Sequence, residues 1–151
     1  MTGKRATKQP KLLGKRGKIY LVAMAIVECK GKKLLLAKRS DCLLWNFVGG
    51  TVDFGENSWE TVAREVFEET GIRARQSEFR FLFAQETIRP ENDLHAIFLV
   101  YKLSLGDFPV LRKNGESLEF GWFRPGKPPK GLTPGTRDAL GNLLAGKSRT
   151  D

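Results

Sequence analysis

The sequence predicts one α/β domain, and three observations support this fold class. Residues 19–27 form an apolar run that is better explained as a buried strand than as part of a helix. Two segments, 57–70 and 135–145, carry apolar side chains at the spacing of amphipathic helices, and strand-like segments lie between them. The length of 151 residues allows one core that needs no disulfides to fold.

Three strands are expected before the first helix, at about 19–28, 33–38 and 45–48. The first two are apolar runs separated by a hairpin-like turn, Lys30-Gly31-Lys32, which predicts that they pair with each other. A loop follows, and the third strand is short. It runs directly into a pair of glycines at positions 49 and 50.

One long helix is predicted over about 57–70. Asn57 or Ser58 can supply the N-cap oxygen, and Gly71 stands where a C′ glycine ends a helix. Apolar side chains recur at helical spacing within this segment, and they predict the face that packs on the core. They are Trp59, Val62, Ala63 and Val66.

The second half of the domain contains three strands and a closing helix. The strands are expected at about 78–89, 96–105 and 117–123, with a Pro-Glu-Asn-Asp turn between the first two. The segment 125–134 is rich in proline, glycine and lysine, which indicates an irregular connection. The closing helix, 135–145, is expected to bury three leucines, namely Leu140, Leu143 and Leu144.

Charge divides the chain into a basic arm and a nearly balanced domain. The net charge is +9, and no acidic residue precedes Glu28. The basic residues before it are Lys4, Arg5, Lys8, Lys11, Lys15, Arg16 and Lys18. We therefore predict a disordered basic arm at 1–17, a folded domain at 18–146 and a C-terminal tail at 147–151. The arm can bind RNA through counterion release, but we favour a solvated tail, since it has no aromatic before Tyr20.

Targeting and redox features favour a cytoplasmic protein. The basic arm and the apolar run after it resemble a secretory signal, but cleavage there removes a core strand. Nine apolar residues are also too few to cross a bilayer, so we expect no membrane partner. Two cysteines, Cys29 and Cys42, are too few for a disulfide framework, and a single histidine, His95, argues against zinc. The sequence is equally consistent with a monomer and with a homodimer.

Three carboxylates, Glu65, Glu68 and Glu69, lie in the last turn and a half of the predicted helix. At helical spacing they share one sector, which lies away from the core face. Like charges so placed repel by about 0.2–0.5 kcal/mol per pair. Either the glutamates form a solvated helix face, or they bind a divalent cation that turns repulsion into attraction and recruits substrate phosphates.

The residues around these glutamates favour the cation. Every specified position of the sequence box that marks the Nudix hydrolases is filled at the required spacing, so the chain resembles this family over residues 50–72. The matching positions are Gly50, Glu56, Arg64, Glu65, Val66, Glu68, Glu69, Gly71 and Ile72. Nine positions at fixed spacing are far more specific than a single glycine-rich loop.

The resemblance implies a fold, a reaction and a cofactor. Members of this family have an α/β/α sandwich with a central mixed sheet. They hydrolyse a diphosphate linkage joined to a nucleoside or a similar group, with Mg²⁺ as the metal ion and Mn²⁺ as a substitute. The implied metal ligands are the carbonyl of Gly49 and the carboxylates of Glu65 and Glu69, with Glu68 as a further ligand or a water contact.

The resemblance also implies roles for the other residues of the box. Glu65, Glu69 and Arg64 are the implied catalytic residues, and Glu65 is the first candidate for the general base. Glu56 and Arg64 are expected to form an ion pair that holds the loop, while Gly50 and Gly71 are structural. Outside candidates for the base are Glu86, Glu116 and Glu119.

Substrate contacts are marked less clearly. Side chains that can stack a base or meet phosphates are Trp45, Phe47, Phe83, Trp122, Lys38 and Arg39, with Glu86 and Glu119 as polar candidates. The predicted activity is hydrolysis of a nucleoside triphosphate to the monophosphate and pyrophosphate. The alternatives are an RNA 5′-pyrophosphohydrolase, an ADP-ribose or dinucleoside polyphosphate hydrolase, and a nucleotide-sensing module without catalysis.

Overall fold

A computed structural model describes residues 17–146 of the chain. The predicted tail and all but the last residue of the predicted basic arm lie outside these residues. Seven strands and two helices follow one another in this region. In chain order they are β1 Tyr20–Cys29, β2 Lys33–Arg39, β3 Trp45–Asn46, β4 Val48–Thr51, α1 Ser58–Thr70, β5 Phe79–Arg89, β6 Leu94–Ser104, β7 Ser117–Phe123 and α2 Pro134–Leu144.

The strands form one mixed sheet with β1 near its centre. The main path of the sheet runs β3-β2-β1-β6-β5, and β4 and β7 pair with β1 and β2 respectively. β1 pairs in parallel with β6, with Ala23 opposite Leu99, whereas the other pairings are antiparallel. Neither helix is long and apolar enough to cross a membrane, as judged over the described part of the chain.

β1 is buried on both faces, which explains its unbroken apolar sequence. Because side chains alternate along a strand, its residues divide between two separate cores. Val22, Met24 and Ile26 belong to the core that contains Ala139 and Leu140 of α2. Ala23, Ala25 and Val27 belong to the core that contains Val62 and Val66 of α1. A helix on each face of a mixed sheet confirms the predicted α/β/α sandwich.

Most of the observed bounds lie within one residue of the predicted ones, and the larger differences concern one short strand, the start of β6 and the burial of α2. The short third strand is two strands, with Phe47 between them turned into the core. β6 begins at Leu94, two residues earlier than predicted. Leu140 is buried and Leu143 half-buried, but Leu144 is 58% exposed, so its predicted burial is wrong. The apolar pattern of a helix does not show where the surface beneath it ends.

Gly135 allows the first turn of α2 to lie close to the sheet. A methyl group at this position would overlap the ring of Phe98, which has no exposed surface. The Gly135 carbonyl accepts a hydrogen bond from the Gln85 amide at 2.9 Å. The hydroxyl of the next residue, Thr136, accepts the backbone N–H of Phe47 at 2.9 Å. This turn therefore bonds both to β5 and to the residue that precedes β4.

We expect Gly135→Ala to lower the free energy of unfolding by about 1–3 kcal/mol, since the methyl group must displace a buried ring. Gly141, in the same helix, is exposed and has open space around it. Gly141→Ala should therefore raise the free energy of unfolding by about 0.5–1 kcal/mol through helix propensity. Urea unfolding followed by circular dichroism measures both. Similar effects of the two substitutions would contradict the packing assigned to Gly135.

Candidate active site

The helix α1 is capped at both ends by residues that the sequence indicates. The Asn57 side chain accepts the backbone N–H of Glu60 at 2.9 Å, so Asn57 is the N-cap. Gly71 has a φ of 80°, a conformation that favours glycine, and its N–H donates to the carbonyl of Phe67 at 2.8 Å. These caps set the limits of the helix and thereby place its three glutamates in its C-terminal half.

The glycines of β4 allow α1 to approach the sheet. Gly49 and Gly50 are part of the strand and lie opposite Met24 and Ala23 of β1. A methyl group on Gly50 would overlap the carboxylate of Glu65, and one on Gly49 would overlap the backbone of β1. Because glycine has no Cβ, it permits both approaches.

Two of the three glutamates are buried against this strand. Glu65 is 3% exposed and Glu69 is 6% exposed, whereas Glu68 is open to solvent. The Glu69 carboxylate accepts the backbone N–H of Gly49 at 3.2 Å. The prediction that all three share one sector away from the packed surface is therefore wrong for Glu65 and Glu69. Helical spacing locates side chains around the helix axis but does not show that two glycines let a strand approach from that side.

Arg64 connects the carboxylates to the loop that precedes α1. Its guanidinium donates to both carboxylate oxygens of Glu56 at 2.8 Å, which is a bidentate ion pair. The same group donates to Glu65 at 3.1 Å and to Glu68 at 3.2 Å. Asp53 lies 3.4 Å from it. One cation therefore holds four carboxylates of the loop and the helix in fixed positions.

The charges of this network change the pKa values of its members. Hydrogen bonds from Arg64, and then from the hydroxyl of Thr61, lower the pKa of Glu56 to about 2. The hydrogen bonds to Glu56, together with the charges of Glu65, Glu56 and Glu68, raise the pKa of Arg64. Glu56 is thus held as an anion, which keeps the ion pair intact well below neutral pH.

The chemistry of the glutamates suits a hard divalent cation. Carboxylate oxygens are the ligands that Mg²⁺ prefers, and Glu65 and Glu69 are already removed from bulk water. In the described conformation Glu65 and Glu68 contact Arg64, and Glu69 contacts Gly49. Within residues 17–146, no group of three or more His, Cys, Asp and Glu side chains is arranged to hold a metal ion. The carboxylate oxygens of these glutamates are therefore suitable ligands for a divalent cation. In the described conformation, however, the side chains are placed for their contacts with Arg64 and Gly49.

Arg39 lies near this site but is engaged with a neighbour. It is 7% exposed and donates to both oxygens of Asp41, at 2.9 and 2.7 Å. Burial acts to lower the pKa of Arg39, but hydrogen bonding and charge from Asp41, with smaller contributions from Cys42 and Glu69, raise it. Arg39 is therefore close enough to Glu69 to interact with its charge, while its guanidinium is directed at Asp41.

The other polar residues predicted to contact substrate pair with one another or with their neighbours. The Lys38 amine lies 4.0 Å from the carboxylate of Glu119 on the adjacent strand. Glu86 on β5 lies 2.6 Å from the ring of His95 on β6. Glu65 and Glu68 are engaged by Arg64, and Glu69 by the backbone N–H of Gly49.

The aromatic candidates belong mostly to the core. Phe47 has no exposed surface, so its ring offers no face to a base in the described conformation. Trp45 is half-buried and packs edge-on against Phe123, with ring centroids 5.1 Å apart. Trp122 packs in the same way against Phe108, also at 5.1 Å.

A cavity of about 990 Å³ between β5 and α2 contains polar groups that the sequence did not single out. The Asn142 amide donates to Gln85 at 3.1 Å across this cavity. These residues are 57 positions apart, so no local pattern connects them. Of the predicted candidates, Phe83 and Glu86 line the cavity. A polar residue at a buried strand position is the signal that points to Gln85.

Known proteins resemble the chain over most of its length. Residues 19–143 match the family model described as the NUDIX domain. A Bacillus subtilis (strain 168) protein with the provisional name 8-oxo-dGTP diphosphatase is 28% identical over 82% of this chain and 79% of that protein. A MutT-like protein of Streptomyces ambofaciens is 34% identical over 69% of this chain and 62% of that protein. The crystal structure of a MutT NUDIX hydrolase from Burkholderia pseudomallei aligns with a TM-score of 0.72 and 27% identity, covering 83% of this chain and 98% of that one.

The matched region includes the whole sheet, all of α1, and α2 except for its last residue, Leu144. It therefore contains the segment 50–72, in which the box positions are complete. A sheet with a helix on each face agrees with the structural match. The chain belongs to the Nudix family and is a hydrolase of phosphoanhydride bonds.

Proposed function

We propose that the protein hydrolyses nucleoside triphosphates to the monophosphate and pyrophosphate, with Mg²⁺ as its metal ion. The observation that carries this proposal is the burial of Glu65 and Glu69 against the glycines of β4, beside a guanidinium that orders the neighbouring carboxylates. Buried carboxylates next to each other are costly unless a positive charge compensates them, which is what a cation and Arg64 together provide. The provisional name of the Bacillus subtilis relative supports a nucleoside triphosphate as the substrate.

The metal ligands in this proposal are Glu65, Glu68, Glu69 and the carbonyl of Gly49. The bound ion would neutralise phosphate oxygens and lower the pKa of a coordinated water. The protein contributes the positions of the ligands. Glu69 is tied to β4 by the N–H of Gly49, and Glu65 is held between Gly50 and Arg64.

Glu65 is the general base in this proposal. Its carboxylate is nearly removed from solvent, so a proton accepted there would not exchange freely with bulk water. Arg64 donates to it at 3.1 Å and orients it. The outside candidates Glu86 and Glu119 instead contact His95 and Lys38 on neighbouring strands.

Arg64 acts as a positioning residue. It donates two hydrogen bonds to Glu56, so the loop before α1 is joined to the middle of the helix. Its remaining contacts reach Glu65 and Glu68 on the same helix. Loss of the contact with Glu56 would let the guanidinium of Arg64 move. The orientation of the general base, Glu65, would then change as well.

The cavity between β5 and α2 is the proposed site for the nucleobase. Amide side chains match the donors and acceptors on a base edge, and aromatic rings stack on its face. Gln85 and Asn142 supply the amides, and Phe81 and Phe83 supply the rings. The hydrogen bond of Gln85 to Gly135 holds one amide in place, so part of the site is preformed.

Glu65→Gln and Glu69→Gln should each lower kcat by about 10²–10⁴-fold, since each removes a charge from the metal and proton-transfer site. The exposed Glu91→Gln is the control and should keep wild-type turnover. The assay follows Mg²⁺-dependent hydrolysis of nucleoside triphosphates, ADP-ribose, diadenosine polyphosphates and 5′-triphosphorylated RNA, with products resolved by ³¹P NMR. Unchanged turnover in both site variants would refute the mechanism, and a different dominant substrate would refute the substrate class.

Glu56→Gln should lower the free energy of unfolding at pH 7 by about 1–2 kcal/mol, because it removes a charged partner of Arg64. The folded-state pKa of Glu56, about 2, lies below its ordinary value of 4.5. Its stabilisation is therefore complete above about pH 4.5 and is lost as the pH falls towards 2. The difference between wild type and variant should shrink over this range in urea unfolding. A difference that stays constant down to pH 2 is the contrary result.

Asn142→Ala should raise KM for the preferred nucleoside triphosphate about tenfold and leave kcat nearly unchanged, since it removes a contact made equally in the ground and transition states. Asn114→Ala, a change of the same type in the loop before β7, is the matched control. Steady-state kinetics with the four common bases tests this. Equal KM values in the two variants would show that the nucleobase does not bind in this cavity.

A further inference from the structure

Two arginines lie over one aromatic ring on α1. The guanidinium carbon of Arg73 lies 4.7 Å from the ring centroid of Phe67, and that of Arg112 lies 6.0 Å from it. Both arginines are exposed, whereas Phe67 is half-buried. A guanidinium stacked on a ring keeps its N–H edges directed outward and is held in one plane.

This cluster lies on the opposite side of α1 from the proposed catalytic residues. At about 100° per residue, Phe67 is about 200° around the helix from both Glu65 and Glu69. Those two glutamates face β4, as their contacts with its two glycines show. Phe67 instead lines a separate cavity of about 420 Å³.

The cavity beside Phe67 carries excess positive charge. Arg73, Arg75 and one acidic residue, Glu78, line it, and Arg112 lies on the same ring. The Glu78 carboxylate accepts the backbone N–H of Arg75 at 2.6 Å. Among the described residues, neither Arg73 nor Arg112 forms an ion pair with a carboxylate. The ring of Phe67 and the C-terminal end of α1 help to offset their mutual repulsion.

Arg112 is held in place by its backbone. Its N–H donates to the carbonyl of Thr70 at 2.8 Å, at the end of α1. Its side chain also packs against Gly71, where an added methyl group would approach its Cβ to 3.3 Å. These contacts place Arg112 at the C-terminal end of α1, so that its guanidinium reaches the ring of Phe67.

We propose that Arg73, Arg75 and Arg112, together with the ring of Phe67, form a phosphate-binding site that is separate from the active site. A guanidinium group donates two parallel hydrogen bonds to phosphate oxygens, and two such groups lie at one ring here. The phosphate belongs either to a free pyrophosphate-type anion or to the backbone of a single-stranded nucleic acid. This site does not depend on which nucleotide the enzyme hydrolyses.

The test compares three double variants of the full chain in buffer with EDTA, so that no metal ion recruits phosphate to the glutamates. Arg73→Gln with Arg112→Gln removes both charges. Arg73→Lys with Arg112→Lys keeps the charges and removes the planar forks. Arg80→Gln with Arg124→Gln removes two charges from exposed arginines elsewhere. Circular dichroism establishes that each variant is folded.

Binding of inorganic pyrophosphate is measured by calorimetry, and binding of a short fluorescent oligothymidylate by anisotropy. At least one probe should bind the Gln variant about tenfold or more weakly than wild type, and the Lys variant should also be weaker, since lysine lacks the bidentate fork. The Arg80 and Arg124 control should stay within about twofold, as expected for charges outside a specific contact. The Nε–H NMR signals of Arg73 and Arg112 should shift on titration.

The two probes distinguish the sources of the phosphate. An effect on pyrophosphate alone assigns the site to a free anion, and an effect on the oligothymidylate assigns it to a nucleic acid backbone. The proposal is overturned if neither probe binds wild type, or if the Gln variant binds both probes as tightly as the Arg80 and Arg124 control does. Hydrolysis of nucleoside triphosphates is measured separately in the same variants. A negative result in the binding experiment therefore does not bear on the proposed activity.

Discussion

The close approach of α1 to β4 is the contact on which the candidate site depends. Gly49 and Gly50 present bare backbone to the helix, and a methyl group at Gly50 would occupy the space of the Glu65 carboxylate. This approach buries Glu65 and Glu69 and ties Glu69 to the strand. The same two residues would be an ordinary acidic helix face if the strand carried larger side chains.

Burial of carboxylates requires compensation, and Arg64 provides part of it. The guanidinium binds Glu56 with two hydrogen bonds and still reaches Glu65 and Glu68. The hydrogen bonds from Arg64 lower the pKa of Glu56 and keep it charged, so the loop stays paired with the helix. One cation among four carboxylates leaves excess negative charge, which is the electrostatic reason why a divalent ion suits this place.

The sheet connects the proposed metal site with the proposed base site. β1 is buried on both faces and holds β4 on one edge and β6 on the other. The first turn of α2 bonds to β5 through Gly135 and to Phe47, which directly precedes β4, through Thr136. The cavity beside Gln85 and the strand that contains the two glycines are therefore both connected to the first turn of α2.

The sequence by itself determined the family, the caps of α1 and the approximate positions of the strands along the chain, while the sandwich fold was implied by the resemblance to that family. These follow from local spacing, since helical periodicity, cap residues and the box are all patterns among near neighbours. Only the tertiary structure decided that Glu65 and Glu69 are buried, that Phe47 is core, and that Asn142 meets Gln85. The two arginines over Phe67 likewise come from different loops. Such contacts depend on how packed elements approach one another, which residue spacing along the chain does not encode.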